Sequence, residues 1–320
     1  MDKILIIGAG GQIGVELTLA LREIYGRNNV IATDIREEHP LLKESNGPFL
    51  HLDVMDTKEV AQVVAREGIT QVYLLAAILS ATGESKPLWA WDINMQSLLH
   101  LLEICREHKV RKFYWPSSIA AFGPNTPKER TPQHTIIEPV TVYGISKYAG
   151  ELWCQYYFNR YGLDVRSLRY PGLISWKSAP GGGTTDYAID IYIEALKKQH
   201  FTCFLSEDTY LPMMYMNDAI RGTIELMEAP AEKIRTRTAY NLAAMSFSPR
   251  EVAASIRKHI PAFTVDYAPD YRQQIADSWP KSIDDSTARA DWGWKHEFDL
   301  DRMTADMLEN LKKKLELQPA

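Results

Sequence analysis

An α/β fold built on a doubly wound parallel sheet, with a smaller C-terminal lobe, follows from three features of the sequence. Residues 3–7 form a short apolar run that ends in a glycine-rich turn, and a helical pattern over 12–25 follows at once. Strand-like and helix-like segments then alternate as far as Arg169. From about Pro171 the alternation loosens, and Pro180-Gly181-Gly182-Gly183 marks a turn-rich loop. Parallel strands need crossovers long enough to hold a helix, so regular alternation places the strands between two helical layers.

Each element has its own signal. Residues 29–33 are apolar and complete a β-α-β unit with the first strand and helix. Further strands are predicted at 49–52, 72–75 and 112–115, with a helix near 58–66 and a long helix from about 88 to 108. A helix around Tyr143 and a strand at 165–169 close the series. These segments predict a Rossmann-type dinucleotide-binding domain over residues 1–170. Residues 171–320 are expected to be mostly a substrate-binding lobe over the carboxyl ends of the strands, part of which can return to the sheet.

Composition narrows the function classes. The 320 residues can bury a substantial core, and 45% apolar with 24% charged residues excludes a disordered or fibrous chain. A net charge of -5 lacks the basic stripe of a nucleic-acid binder. No segment reaches the ~20 apolar residues of a spanning helix, and Met1-Asp2-Lys3 leads directly into a strand without an export signal. A cytoplasmic protein with a small-molecule substrate is expected. Cys105, Cys154 and Cys203 are distant in sequence and odd in number, which suits buried apolar positions better than disulfides or a thiolate zinc site. The eight histidines contain no His-Glu-x-x-His pattern, so no metal is assigned.

Gly8, Gly11 and Gly14 are spaced by three between strand and helix, with Gln12 and Ile13 at the helix start. Without side chains there, backbone can approach a pyrophosphate and the helix N-terminus can receive its charge. A tight βα turn is the plainer reading of the glycines alone; the β-α-β context favours a dinucleotide. Asp34 closes the second strand 20 residues after Gly14, where a carboxylate accepts hydrogen bonds from an adenosine ribose and repels a 2′-phosphate. NAD is therefore expected rather than NADP. Arg36 is either a group able to approach such a phosphate or a solvated surface arginine. Asp53 either bonds the adenine amino group or caps a helix.

Tyr143 and Lys147 stand at i,i+4, one helical turn apart. In that geometry an ammonium can lower the phenol from its ordinary ~10 by favouring the phenolate, which makes the tyrosine a base. A surface Tyr/Lys pair is the bland reading; the upstream nucleotide-binding signature weighs against it.

Together with Leu75-Ala76-Ala77, Asn94, the segment 116–123, Arg169-Tyr170-Pro171-Gly172 and Asp291-Trp292-Gly293-Trp294, these motifs resemble the extended short-chain dehydrogenase/reductase superfamily over essentially the whole chain. The resemblance implies that Ser118, 25 positions before Tyr143, bonds the reacting oxygen, with Ser117 beside it; both serines could instead be turn formers. It implies that Lys147 also binds the nicotinamide ribose and that Asn94 helps order a proton-relay water. Ile35, Val54, Leu75, Ala76, Ala77, Tyr170 and Pro171 would complete the cofactor contacts. The implied chemistry is alcohol oxidation, with Tyr143 taking the hydroxyl proton and hydride passing to nicotinamide C4. A homodimer is also implied, paired through the long helix around Asn94 and the Tyr143 helix, where Leu98, Leu99, Leu101, Leu102, Trp153, Tyr156 and Tyr157 offer apolar surface. Covering their own sheet would use many of the same side chains.

Most members of that superfamily act on nucleotide-linked sugars, with an asparagine after the Arg-Tyr-x segment and an arginine before a Val-Asp-Asp-like element. Here those positions are Gly172 and Leu211, so a diphosphate loses a bidentate partner and a smaller substrate is expected. The strings at 169–175, 180–188 and 277–284 are similar to those of short-chain-type L-threonine 3-dehydrogenases. That similarity implies oxidation of L-threonine by NAD to 2-amino-3-oxobutyrate, with Ser80, Thr185 and Trp279 joining Ser118 and Tyr143 around the substrate. The plain readings are a loop hydroxyl, a helix cap and lobe core, respectively. Asp186 either faces the substrate ammonium or caps a helix, and the loop from Gly181 to Gly183 is a candidate lid. An NAD-dependent nucleotide-sugar epimerase/dehydratase is the alternative function. A cofactor-binding regulatory protein would not need Ser118, Tyr143 and Lys147 together.

Overall fold

The computed structural model describes residues 2–177, 181 and 183–316. In chain order the first half contains β1 (Ile4–Ile7), α1 (Gln12–Tyr25), β2 (Val30–Asp34), α2 (Pro40–Glu44), β3 (Phe49–His51), α3 (Thr57–Glu67), β4 (Gln71–Leu74), α4 (Ser80–Ser85), α5 (Pro87–Glu107), β5 (Lys112–Tyr114), β6 (Ser117–Ser118), α6 (Val142–Tyr161), β7 (Asp164–Arg166) and β8 (Leu168–Tyr170). The second half continues with β9 (Gly172–Ile174), α7 (Tyr187–Lys198), β10 (His200–Cys203), β11 (Leu211–Tyr215), α8 (Met216–Glu228), β12 (Tyr240–Asn241), β13 (Met245–Phe247), α9 (Pro249–Arg257), β14 (Thr264–Tyr267), α10 (Arg272–Ser278), α11 (Ser286–Trp292) and α12 (Leu300–Glu316). Among the described residues no helix is long and apolar enough to cross a membrane.

Six strands form the main sheet in the order β3-β2-β1-β4-β5-β7, every neighbouring pair parallel. Strand alternation explains the two layers: in β1, Ile4 and Ile6 pack with Val15, Leu17 and Leu21 of α1, while Leu5 and Ile7 pack with Val60 and Val63 of α3 and Leu98 and Leu102 of α5. Because both faces are covered, all four residues of β1 are buried. The strand order reverses between β1 and β4, which opens a crevice at their carboxyl ends.

The expected strand at 165–169 is split at Ser167 into β7 and β8. Its neighbour is interrupted at the same level by Pro116, which has no N–H for the ladder, so pairing resumes only at β6. β6, β8 and β12 form a small parallel sheet beyond this break. Tyr240 and Asn241 thus return from the C-terminal half, and Met216, Ala219 and Leu226 of α8 share a core with α1. The rest of that half builds its own core, in which Tyr187, Ile191 and Tyr192 of α7 meet Met303 and Met307 of α12. The three cysteines are unpaired and buried.

An ion pair with almost no exposure ties α6 to the interrupted strands. Arg169 donates from Nε to Glu151 Oε1 at 2.8 Å and from Nη2 to Oε2 at 2.6 Å. Its Nη1 reaches Asn241 Oδ1 at 3.1 Å, and Ser117 Oγ donates to Glu151 Oε1 at 2.6 Å. A buried pair of this kind is costly to break because the surviving charge stays desolvated. Arg169→Met is expected to destabilise the protein by about 3–5 kcal/mol, measured as a fall in the denaturant midpoint; an unchanged midpoint would show that the pair contributes little.

Candidate active site

The crevice is a cleft of about 820 Å³ running from the β1 turn to the C-terminal lobe. At its cofactor end the chain turns at Gly8, whose φ of 89° lies in the left-handed region. A Cβ on Gly8 would stand 2.5 Å from Ala76 N, and one on Gly14 would overlap the Gly8 carbonyl oxygen. Both positions are therefore closed to side chains. Gly11 caps α1 without a side-chain bond, and the buried Gln12 Nε2 beside it has no partner among the described residues. This cradle of free backbone and an unsatisfied amide fits a pyrophosphate.

Asp34 accepts from Gly10 N at 2.8 Å, from Arg36 N at 3.0 Å, and from Arg36 Nε and Nη2 at 3.0 and 3.2 Å. Burial pushes the carboxyl up, but the Arg36 side chain, the two backbone N–H groups and the Arg36 charge outweigh it and hold Asp34 below the usual range. Arg36 is thus a partner of the acid, neither a free phosphate ligand nor a merely solvated group. Asp53 does not cap α3; Asp56 does, accepting from Glu59 N at 3.0 Å. Asp53 instead receives Met55 N at 2.9 Å and lines the adenosine end with Ile35 and Val54. Ile13, Leu75, Ala76, Ala77, Tyr170 and Pro171 also border the cleft.

Ser118, Tyr143 and Lys147 all line this cleft. Thr141 caps α6 through Gly144 N at 3.1 Å, which sets Tyr143 on the first turn and Lys147 on the second. Ser117 also borders the space, but its hydroxyl is committed to Glu151, which leaves Ser118, the serine that draws the Tyr143 phenol down, to act beside it. Lys147 Nζ donates to the Pro116 carbonyl at 2.6 Å and lies 4.5 Å from the Trp115 ring centre and 5.3 Å from that of Tyr143.

The electrostatics correct the expectation that Lys147 by itself lowers the phenol. Desolvation pushes Tyr143 up to about 12, with Ser118 drawing it down only in part. Desolvation also pulls Lys147 down to about 7, opposed by Cys154 and Glu151. In the protein alone, burial outweighs the i,i+4 attraction that spacing suggested. The phenol needs a further positive charge nearby to ionise at moderate pH.

Asn94, expected at the cofactor, is not among the residues that line the cleft, and its Nδ2 reaches Ser146 Oγ of α6 at 3.5 Å. Its Oδ1 accepts from Ile78 N at 2.8 Å and its Nδ2 donates to Ile78 O at 3.0 Å, so both ends hold the backbone of the cleft wall.

Ser80, Thr185 and Trp279 line the same cleft, and Trp279 and Tyr143 share a core cluster. Ser80 is the first residue of α4 and not a loop hydroxyl, and its Oγ lies 3.5 Å from Thr184 Oγ1, joining that helix to the loop before α7. Thr185 is not the cap of α7; Asp186 holds that position, and its carboxylate receives Gly183 N at 2.7 Å. Trp279 lines the cleft and also packs in the lobe core. Of the candidate lid, Gly181 and Gly183 border the cleft, while Pro180 and Gly182 lie outside the described residues. Leu79, Thr82, Trp89 and Ile93 form a wall that the sequence reading missed. Trp89 and Ile93 share an i,i+4 face just after Pro87, a pattern that could have marked them.

Comparison with known proteins agrees with this geometry. A family model described as the NAD dependent epimerase/dehydratase family matches residues 4–243. A partial consensus L-threonine 3-dehydrogenase (E-change) superposes with a TM-score of 0.95 at 61% identity, covering 98% of this chain and 100% of that one. The holo form of the GalE-like L-threonine dehydrogenase from Cupriavidus necator has a TM-score of 0.94 at 60% identity, with coverage of 97% and 100%. An uncharacterized epimerase/dehydratase of Staphylococcus haemolyticus is 51% identical over 315 residues, spanning 98% of this chain and 99% of that protein. The cofactor is NAD, as the glycine cradle and Asp34 require, and the chain belongs to the NAD dependent epimerase/dehydratase family.

Proposed function

We propose that the protein oxidises the 3-hydroxyl of L-threonine with NAD, giving 2-amino-3-oxobutyrate and NADH. The observation that carries this reading is that Ser80, Thr185 and Trp279 border the same cleft as Ser118 and Tyr143. Likeness at 60–61% identity to proteins described as L-threonine dehydrogenases supports it. Gly172 and the fully buried Leu211, where superfamily members usually bind a sugar-nucleotide diphosphate, speak for the smaller substrate.

Residues 1–170 hold the cofactor and the reacting groups in this account, and the lobe from 171 supplies Thr185 and Trp279. NAD held by the glycine cradle and Asp34 would supply a hydride acceptor for C3 and a positive ring charge in the cleft. Ser118 orients the substrate oxygen, and Tyr143 takes its proton. Lys147, held on the Pro116 carbonyl, binds the nicotinamide ribose and adds positive charge when protonated. Asn94 positions the wall at Ile78, from which a relay water can be ordered. The thiols of Cys105, Cys154 and Cys203 stay reduced in the cytoplasm, where we place the reaction.

The protein is proposed to pair with a second copy through α5 and α6. Leu98, Leu101 and Leu102 are used up by their own sheet, but Trp91, Ile145, Leu152, Trp153 and Tyr156 are 37–48% exposed on these helices. Ile145, Leu152 and Tyr156 recur at i, i+7 and i+11 along one side of α6.

Purified protein is expected to reduce NAD with L-threonine and to leave UDP-galactose unchanged; the reverse pattern selects the epimerase alternative. Tyr143→Phe should lower turnover by about 10²–10⁴-fold while keeping NADH affinity, read by cofactor fluorescence, and full turnover in this variant would remove Tyr143 as the base. Because the active form is the phenolate and burial raises the phenol, the rate of hydride transfer should climb from neutral to alkaline pH. A flat single-turnover profile over that interval would count against the mechanism. Trp153→Glu should convert a dimer to a monomer in sedimentation equilibrium; an unsubstituted protein that is already monomeric at micromolar concentration would refute the pairing.

A further inference from the structure

Glycine at position 172 is not required by the backbone, since Gly172 is absent from the positive-φ glycines among the described residues. It is required by space. Gly172 is buried on β9 opposite Met213 of the parallel neighbour β11. A Cβ there would overlap the Met213 sulfur and stand 2.8 Å from Thr185 Cγ2 and 2.9 Å from Thr185 Cβ. Met213 is fully buried in the lobe core, with little room to retreat. Thr185 is β-branched and stiff at χ1, and its carbonyl is tied to Ala188 N at 3.1 Å. A side chain at 172 therefore displaces the loop that carries Thr185.

We infer that Gly172 is a specificity-determining residue that acts through Thr185: its missing side chain lets Thr185 seat against β9, fitting the substrate end of the cleft to a free amino acid. The inference rests on the L-threonine reading proposed above and goes beyond it, because it explains why an asparagine that would serve a sugar nucleotide has no room at this position. Gly172 itself offers no group to the substrate. It is a positioning residue, and its loss should appear in substrate affinity more than in the chemical step.

The test compares steady-state kinetics and NADH binding for the unsubstituted protein, Gly172→Ala, and Gly172→Ala combined with Thr185→Ser. Gly172→Ala is expected to raise KM for L-threonine about tenfold or more, since small displacements of a positioning group carry large penalties. kcat should change much less, and the NADH Kd should stay within about twofold of the unsubstituted value. Thr185→Ser keeps the hydroxyl and deletes the methyl that lies 2.8 Å away, so the double variant should recover part of the KM. If Gly172→Ala does not fold, Gly172→Ala with Met213→Ala relieves the sulfur overlap while keeping the Thr185 clash, and the same rise in KM is expected. An unchanged KM in whichever of these folds, with the unsubstituted protein oxidising L-threonine normally, overturns this inference alone. No oxidation of L-threonine by the unsubstituted protein overturns the functional reading, and this inference with it.

Discussion

The bond from Lys147 Nζ to the Pro116 carbonyl is the interaction on which the centre of the molecule depends. Pro116 interrupts the fifth strand of the sheet, because proline cannot donate to the ladder, and the strand resumes at Ser117 and Ser118. The interruption leaves a carbonyl facing α6, and Lys147 takes it. Anchored there and against Trp115, the lysine fixes the rotation of α6, which in turn presents Tyr143 to Ser118. Sheet geometry and acid–base chemistry thus share one contact.

Desolvation is the cost of this arrangement and also its use. With protein groups alone, the phenol sits at about 12 and the ammonium at about 7, so at neutral pH the phenol is protonated and not in the form that the proposed alcohol oxidation needs. In the proposed mechanism a cationic nicotinamide ring in the cleft would shift the phenol in the needed direction and so couple the base to the cofactor. The buried Glu151–Arg169 pair serves the same end from behind, since it joins α6, β6, β8 and β12 beneath the serines. Asp34 is held ionised by Arg36 and by backbone N–H groups, the form that would accept ribose hydroxyls and oppose a 2′-phosphate.

What the sequence made legible was local or periodic. The helix over 12–25 has the predicted bounds, and the glycine turn, Asp34 and the Tyr143/Lys147 spacing each lie within a short stretch that brings its own geometry. Ser118, Tyr143, Ser80, Thr185 and Trp279, scattered over the chain, were placed in one site by resemblance to a family, and the fold brings them to one cleft. Less legible were effects set by distant packing. The pairing of Tyr240–Asn241 with β8 involves two residues with no strand signature of their own. Asp56 rather than Asp53 caps α3, a difference of three residues that the turn at Asp53 decides. Leu98, Leu101 and Leu102 look like pairing surface until the sheet beneath them is seen. The sign of the Tyr143 shift was misread because spacing reveals a neighbouring charge but not the loss of water around it.

The central claim is that Tyr143 ionises in response to the cofactor's charge. Titrating tyrosine labelled with carbon-13 at the hydroxyl-bearing ring carbon, and assigning the signal by its loss in Tyr143→Phe, measures this directly. The account predicts a Tyr143 transition near 12 in the free protein that moves well down when NAD is added and returns upward with NADH. A transition at the same pH in all three states would contradict it.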